Sequence, residues 1–157
     1  MKKDVFEIET RLAAAADEVW QSATSPEGIG YELSPWLKMT FPKRVAALTP
    51  ETVPIGRKIC RSWILLFGLI PVDYDDVTLV ALEPPRRFLE VSPMLFFAYW
   101  SHERTVTPAE GGCAIKDRLT FAPRLGAFAP FARRIVSFLF THRHARLAAR
   151  FGRVPRP

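Results

Sequence analysis

The spacing of hydrophobic residues separates one long helical segment from a series of short strands. Segment 130–151 has the length of a helix and contains no glycine or proline beyond its first residue. Its first half repeats apolar residues every three or four positions, which predicts one apolar stripe formed by Phe131, Ala132, Ile135, Val136, Phe138 and Leu139. Pro130 suits a first helical turn and Gly152 suits a left-handed helix C-terminus, so a long C-terminal helix is predicted.

Upstream of this helix, apolar and polar positions alternate as in half-buried strands. Residues 5–12 alternate first, with Phe6, Ile8 and Leu12 on the buried face, and two short helices are expected after this strand. Further strands are predicted in the segments 44–48, 57–67, 72–83, 88–91, 96–107 and 114–121. Because tight turns join consecutive strands, we predict an antiparallel meander covered by the C-terminal helix, which is an α+β fold.

Composition fits one globular domain. The chain has 157 residues, of which 48% are hydrophobic and 24% charged, and we expect a single domain over residues 1–152 with a tail at 153–157. The N-terminus has no apolar signal segment, and the longest apolar run, 63–72, is shorter than the roughly 20 residues that span a bilayer. We therefore expect a cytoplasmic protein in which Cys60 and Cys113 are reduced and structural.

Positive charge is concentrated near the C-terminus. The segment 124–157 holds eight arginines and no acidic residue, although the whole chain carries a formal net charge of only +6. Two interpretations stay open: a solvated helix end that complements the helix dipole, or a basic surface for an acidic partner such as an anionic membrane. Nucleic acid is not an expected partner, because no exposed aromatic residues alternate with these arginines in a groove-sized element.

Polar residues on apolar strand faces are the candidate chemical groups. Asp117 has the same parity as Ile115 and is predicted to point inward, near His102 and Arg104 across the turn at 110–112. A buried carboxylate needs a partner, so we predict that Asp117 pairs with Arg104 or His102. The cluster is either a structural ion pair or a ligand anchor with acid–base chemistry, and its three members are the candidate catalytic residues.

Signatures of metal and cofactor sites are weak or missing in the sequence. His142 and His144 are two positions apart on the predicted helix, so their side chains point in different directions and suit one metal ion poorly. The sequence contains no glycine-rich phosphate loop and no nucleophile elbow. We therefore expect neither a metal nor a cofactor.

Three stretches resemble a known superfamily. They are Phe6-Glu7 with the run 12–20, the strand 100–106, and the helical stretch 140–147. Together with the element order, they resemble the START/Bet v1-like (SRPBCC) ligand-binding superfamily, which includes the polyketide cyclase/dehydrase group. The resemblance implies a helix-grip fold, in which a curved antiparallel sheet of about seven strands wraps around the C-terminal helix beside an apolar cavity. The superfamily has no universal catalytic motif, so the resemblance implies a cavity and little about chemistry.

Within such a fold, we expect carriage of a small hydrophobic ligand rather than catalysis. The expected ligand-binding residues come from the helix stripe, the facing strands and the short helices: Trp20, Trp36, Trp63, Phe67, Leu119, Phe121, Phe131, Ile135 and Leu139. The alternatives are that these residues fill the core, that the protein is a polyketide cyclase or dehydratase, or that it binds membrane lipid. Two apolar turns, 65–72 and 93–97, would cover the cavity mouth, touch a membrane or bury in a homodimer.

Overall fold

Seven antiparallel strands and one long helix form the frame of the molecule. The structure, a computed structural model, describes residues 1–155 apart from the Ala47 side chain. The elements are β1 (Asp4–Leu12), α1 (Ala16–Ala23), α2 (Pro26–Leu33), β2 (Leu37–Met39), β3 (Lys58–Leu66), β4 (Ile70–Glu83), β5 (Arg87–Val91), β6 (Phe97–Ala109), β7 (Gly112–Pro123) and α3 (Ala129–Phe151). The strand order is β1-β7-β6-β5-β4-β3-β2, so β1 and β2 are the edge strands. The predicted α+β helix-grip fold is confirmed.

One predicted strand is wrong and another strand was not predicted. Segment 44–48 overlaps a 3-10 helix, Lys43–Ala47, which follows Pro42. The Arg44 guanidinium donates a hydrogen bond to the Ile59 carbonyl at 2.7 Å and so fixes this helix against β3. A proline beside the segment and a side chain turned toward β3 favour a turn over a ladder. The strand that the sequence did not predict is β2, whose three residues are too few to show an alternating pattern.

α3 begins at Ala129, carries Pro130 in its first turn and ends before Gly152, whose φ is 76°. It packs along β1 and β7, through a row of residues that includes Ala132, Val136 and Phe140. The predicted apolar stripe is broader than this buried row, and the sheet does not cover its other edge. Three of its large residues are exposed, at 59%, 40% and 52% respectively: Phe131, Ile135 and Phe138.

Two apolar clusters fill the space between α3 and the sheet. The first lies at what we call the closed end and contains Leu12, Ala16, Val19, Trp20, Phe88, Val106, Cys113, Ile115 and Leu147. The second lies toward the open end, where α3 begins, and contains Leu119, Phe121, Ala132, Val136 and Phe140. Along β7 the two clusters are separated at Asp117, so a polar layer divides the interior.

No helix in the described part of the chain is both long enough and apolar enough to cross a bilayer. The prediction of a single domain over residues 1–152 stays a prediction. Beyond it, Arg153 bridges to Leu12 and the Val154 amide donates to the Arg11 carbonyl, so the start of the predicted tail lies beside β1. The last two positions of that tail, 156 and 157, lie outside the described residues.

Candidate functional site

A charged network at the centre of the polar layer joins the sheet to both neighbouring helices. Asp117 and Arg104 face each other across β7 and β6, and both side chains are completely buried. The Arg104 guanidinium donates to both Asp117 carboxylate oxygens, from Nε and Nη2, at 2.6 Å each. The predicted pairing of Asp117 is therefore confirmed.

The same guanidinium also binds a carboxylate from α2. Arg104 donates from Nη1 and Nη2 to the Glu32 carboxylate at 3.0 and 2.8 Å. Arg143 of α3 donates from Nε to Glu32 Oε1 at 3.2 Å. Glu32 is completely buried, so two arginines balance the charges of two carboxylates in the interior. Planar, bidentate contacts of this kind are the arrangement that a guanidinium satisfies best.

Two histidines complete the hydrogen bonds of Asp117. His102 Nε2 lies 2.9 Å from Asp117 Oδ1, and His144 Nε2 lies 3.0 Å from Oδ2. With the two bonds from Arg104, the carboxylate takes part in four hydrogen bonds with three side chains, which fills its usual acceptor capacity. His144 Nδ1 lies 2.8 Å from the Thr10 hydroxyl on β1. The layer therefore ties β1, β6, β7, α2 and α3 together.

Opposite charges set the protonation states of this network. Burial by itself would raise the pKa of Asp117 and of Glu32, but the Arg104 guanidinium holds the pKa of Asp117 well below its usual range. Arg104 and Arg143 together lower the pKa of Glu32. Burial would also lower the pKa of Arg104, and the two carboxylates raise it instead. Both carboxylates are thus ionised at neutral pH.

This geometry limits what the three candidate catalytic residues do. A reacting group has to touch its catalyst, and neither Asp117 nor Arg104 exposes any side-chain surface. Their hydrogen bonds go to protein groups, which matches a structural ion pair. His102 is 5% exposed, and among the three it lies on the side of the layer that faces Glu90 of β5.

Beyond His102, the polar layer continues with a pair of carboxyl groups, Asp75 of β4 and Glu90 of β5, and with Ser62 of β3. Glu90 Oε2 lies 4.0 Å from His102 Nδ1, and the Ser92 hydroxyl donates to Glu90 Oε1 at 2.7 Å. Burial raises the pKa of Asp75 well above its usual range, and the neighbouring Glu90 carboxylate raises it further. Ser62 pairs with Asp75 across β3 and β4. Its hydroxyl and Asp75 Oδ1 are buried without a hydrogen-bond partner among the described residues.

The structure distributes eight of the nine predicted ligand-binding residues over four places. Leu119 and Phe121 are fully buried in the second cluster, which Leu139 also contacts. Trp20 lies in the first cluster, against Phe88. Phe131 and Ile135 stay exposed on α3. Trp36 and Phe67 lie at the open end, outside both apolar clusters.

The predicted inward orientation of Trp63 is wrong. The buried pair Ser62 and Asp75 fixes the inner face of β3, so Trp63 points to the outer face. There its ring packs on Tyr74 of the neighbouring strand, with centroids 5.9 Å apart. Arg61 forms an ion pair with Asp76 on the same outer face. Trp63 is therefore not part of any site between sheet and helix.

Trp36 connects α3 with the β3–β4 turn in what we call the aromatic bridge, formed by Trp36, Phe67, Phe138 and His142. The Trp36 ring centroid lies 6.1 Å from that of Phe67 on the turn, and 5.5 and 6.4 Å from those of Phe138 and His142 on α3. His142 Nε2 also lies 2.8 Å from the Ser34 carbonyl oxygen. Phe131 and Ile135 continue the α3 face that carries Phe138 and His142.

Two open depressions flank this bridge. One, of about 400 Å³, follows α3 and is lined by Arg134, Ser137, Phe138, Thr141, His142 and Ala145. The other, of about 280 Å³, lies between the end of α2 and the β3–β4 turn, and is lined by Gly30, Ser34, Pro35, Leu37, Lys38, Phe67 and Gly68. The resemblance implied an apolar cavity between the C-terminal helix and the sheet. The two depressions described here instead open at the surface beside α3 and the β3–β4 turn, and the polar layer at His144 interrupts the apolar interior farther along the helix.

Sequence reasoning missed Glu32, Glu90 and Asp75. For Asp75 a signal was present, because it shares strand parity with the apolar residues Val77 and Leu79. Glu32 gave no such signal, because it lies in a short helix whose charged residues are expected to face solvent.

Solved structures with the same architecture define the class. A START superfamily protein from Mycobacterium smegmatis superposes with a TM-score of 0.66 at 11% identity, covering 95% of this chain and 96% of that one. A Chromobacterium violaceum protein gives 0.71 at 13% identity, with 96% and 99% covered. The Zhui aromatase/cyclase from Streptomyces sp. R1128 gives 0.69 at 11% identity, with 95% and 93% covered. These likenesses establish a START/Bet v1-like fold, as the sequence resemblance predicted.

Within this class, the chain belongs to the family described as a domain of unknown function, DUF8410, whose model matches residues 10–151. No curated protein matches the chain.

Proposed function

We propose that this protein binds a small hydrophobic ligand between the first half of α3 and the β3–β4 turn, and carries the ligand without transforming it. The observation that supports the proposal is the α3 face bearing Phe131, Ile135 and Phe138, which the sheet leaves 40–59% exposed. Apolar side chains gathered beside a concave surface are typical of small-molecule sites. The START-like fold supports the same proposal by analogy.

The ligand would lie across the aromatic bridge and stop at the polar layer. Trp36 and Phe67 offer aromatic faces, which favour flat or acyl ligands that stack or lie along a ring. Ionised Asp117 and Glu32 are buried and fully bonded behind Phe140, so an apolar molecule gains nothing by displacing them. The proposed site is therefore shallow and opens at the open end.

Probe binding to matched variants tests this proposal. Ile135 and Val80 are 40% and 39% exposed, so serine at either position removes a similar apolar surface without touching the core. We expect Ile135→Ser to weaken binding of the neutral fluorophore N-phenyl-1-naphthylamine about fivefold or more, because burying such a side chain is worth roughly 1.5–3 kcal/mol when complete. Val80→Ser on the outer face of β4 should bind like the wild type. Equal affinities for all three proteins, or no binding by any, would refute the proposal.

A cyclase-like enzyme is the second candidate, and the carboxyl pair at the edge of the polar layer favours it. Burial and the neighbouring Glu90 carboxylate raise the pKa of Asp75, which favours its protonated form, and the Glu90 side chain is 13% exposed. Two neighbouring carboxyl groups suit the acid and base roles of an aldol cyclisation followed by loss of water. The similar structures include two polyketide aromatase/cyclases.

Turnover of a poly-β-keto thioester by the purified protein tests this second candidate. Glu90→Gln should abolish the activity, and Glu103→Gln, which alters a carboxylate paired with Arg87 on the opposite sheet face, should preserve it. No turnover by the wild type, or equal loss in both variants, removes the enzymatic alternative. The cytoplasmic location and the homodimer stay predictions.

A further inference from the structure

Exposed apolar side chains gather at the open end of the molecule. They come from three separate connections: the β3–β4 turn, the segment before β6, and the β7–α3 connection. Six large residues in these connections are each 50–81% exposed: Leu69, Ile70, Leu95, Phe96, Leu125 and Phe128. On an ordinary protein surface, exposed large apolar residues are scattered singly, whereas here six of them lie at one end of the molecule.

Hydrogen bonds hold two of these connections together. The Arg124 amide donates to the Phe96 carbonyl at 3.0 Å, and the Arg124 guanidinium donates to the carbonyls of Leu95 and Met94 at 2.7 and 2.9 Å. The Leu95 amide donates to the Asp73 carboxylate at 2.9 Å. These hydrogen bonds fix the backbone that carries the apolar side chains, so the side chains are exposed in the folded protein itself.

Basic residues surround the same end. Lys2 and Lys3 precede β1, Lys38 lies beside the β3–β4 turn, and Arg133 and Arg134 lie in the first turns of α3. The acids nearby are Asp4, which pairs with Arg133, and Asp73, which is buried and bonded to backbone amides. The end therefore combines apolar tips with an excess of positive charge. This combination complements a surface with phosphate groups above a hydrocarbon layer.

We propose that the open end docks onto an anionic lipid bilayer, with the three apolar connections inserted among the headgroups and the basic residues against lipid phosphates. A protein partner fits less well, because a protein interface pairs its apolar centre with directional polar contacts at the rim. The surplus charges here are lysine and arginine side chains spread around this end of the molecule, which match a diffuse negative surface. The inference does not depend on the ligand proposal, although docking would bring the exposed face of α3 close to the bilayer.

Three arginines of the C-terminal segment, Arg143, Arg146 and Arg150, bind other groups of the protein, whereas Arg133 and Arg134 of the same segment lie at the open end. Arg146 stacks on the Tyr31 ring at 4.0 Å and donates to the Tyr31 carbonyl, and Arg150 approaches the same ring and Glu27. Arg143 binds Glu32 inside the polar layer. These side chains therefore hold α2 against α3. Arg146 also lies roughly 22 Å along the helix axis from Phe131, at 1.5 Å per residue.

Vesicle flotation tests the docking surface. The wild type is mixed at low salt with vesicles of phosphatidylcholine alone and with vesicles that contain 30 mole per cent phosphatidylglycerol. We expect it to float with the anionic vesicles and to dissociate as salt rises, because basic residues near such a surface contribute about 1 kcal/mol each, or about fivefold in partitioning. Leu69→Ser/Phe96→Ser should lower the partition coefficient at least about tenfold, and Arg134→Gln about fivefold.

The matched control is Ile55→Ser/Arg57→Gln, which removes one exposed apolar residue and one basic residue near the closed end, where the Gly56 amide donates to Leu79. This variant should float like the wild type. All substituted residues are exposed, and an unchanged Tm verifies that each variant is folded. The proposal is overturned if the wild type fails to float with anionic vesicles, or if the control loses as much binding as Leu69→Ser/Phe96→Ser.

Discussion

Replacing Arg104 by methionine tests the energetic role of the polar layer. The substitution keeps the length and apolar stem of the side chain but removes the guanidinium that binds Asp117 and Glu32. Asp117 keeps its two histidine contacts, and Glu32 keeps only its contact with Arg143 at 3.2 Å. Two completely buried carboxylates then share one remaining arginine, so one buried negative charge is uncompensated.

The size of the effect follows from that uncompensated charge. Removing one partner of a buried ion pair costs about 3–5 kcal/mol, a large share of the roughly 5–15 kcal/mol that keeps a domain folded. For a chain of this size, we expect Tm to fall by about 6–20 °C. Arg104→Lys, which retains the charge and loses the bidentate geometry, should fall between the wild type and the methionine variant.

The pH dependence distinguishes this explanation from a packing defect. In the wild type the pKa of Asp117 is lowered, so its stabilising contribution is present above the unfolded pKa and is lost as the pH falls through the folded pKa. In the methionine variant, burial without the guanidinium raises the pKa of Asp117 and Glu32, and protonation removes the buried charge. The stability difference should therefore shrink from pH 7 to pH 4.5. Urea denaturation at both pH values measures it, and a deficit below about 1 kcal/mol at pH 7, or one independent of pH, would refute the reasoning.

Three further predictions concern single side chains. Ser62→Ala should leave the free energy of unfolding within about 0.5 kcal/mol of the wild type, because the Ser62 hydroxyl is buried without a partner among the described residues. Ser92→Ala should cost about 1 kcal/mol or more, because it breaks two hydrogen bonds. Equal urea midpoints for the two variants would contradict this prediction. Because the pKa of Asp75 is raised, its contribution to folding stability is present below the unfolded pKa and is lost as the pH rises through the folded pKa. Asp75→Asn should therefore gain stability relative to the wild type as the pH rises from 4 to 8. A difference in the free energy of unfolding that stays constant with pH would contradict this prediction. Gly112→Ala should destabilise by at least about 2 kcal/mol in thermal unfolding, since φ is 154° and a Cβ would lie 2.0 Å from the Leu12 carbonyl oxygen; an unchanged Tm would contradict it.

Local patterns determined the elements that the sequence predicted correctly. The alternation from Phe6 to Leu12, the turn before Gly112 and the uninterrupted helical segment depend on neighbouring residues, and each has its predicted type in the structure. The pairing of Asp117 also followed from parity, because β6 and β7 are joined by a tight turn that fixes their register.

The remaining features depend on contacts between distant segments. Glu32 joins the polar layer because α2 packs against α3, and Arg143 lies 111 positions away from it in the chain. The inner face of β3 is set by its pairing with β4, so the sequence could not place Trp63 from hydrophobicity alone. The exposed face of α3 likewise depends on which strands the helix packs against, and the sheet covers Val136 rather than Ile135.

The central claim is that an apolar ligand binds beside the first half of α3 and does not pass the polar layer. Intermolecular nuclear Overhauser effects between N-phenyl-1-naphthylamine and the methyl groups of the isotope-labelled protein test it most directly. Contacts to the Ile135 methyl groups, with none to Ile115 or Leu147 in the first cluster at the closed end, are the predicted result. Contacts to Ile115 or Leu147, or the absence of any contact to Ile135, would contradict the claim.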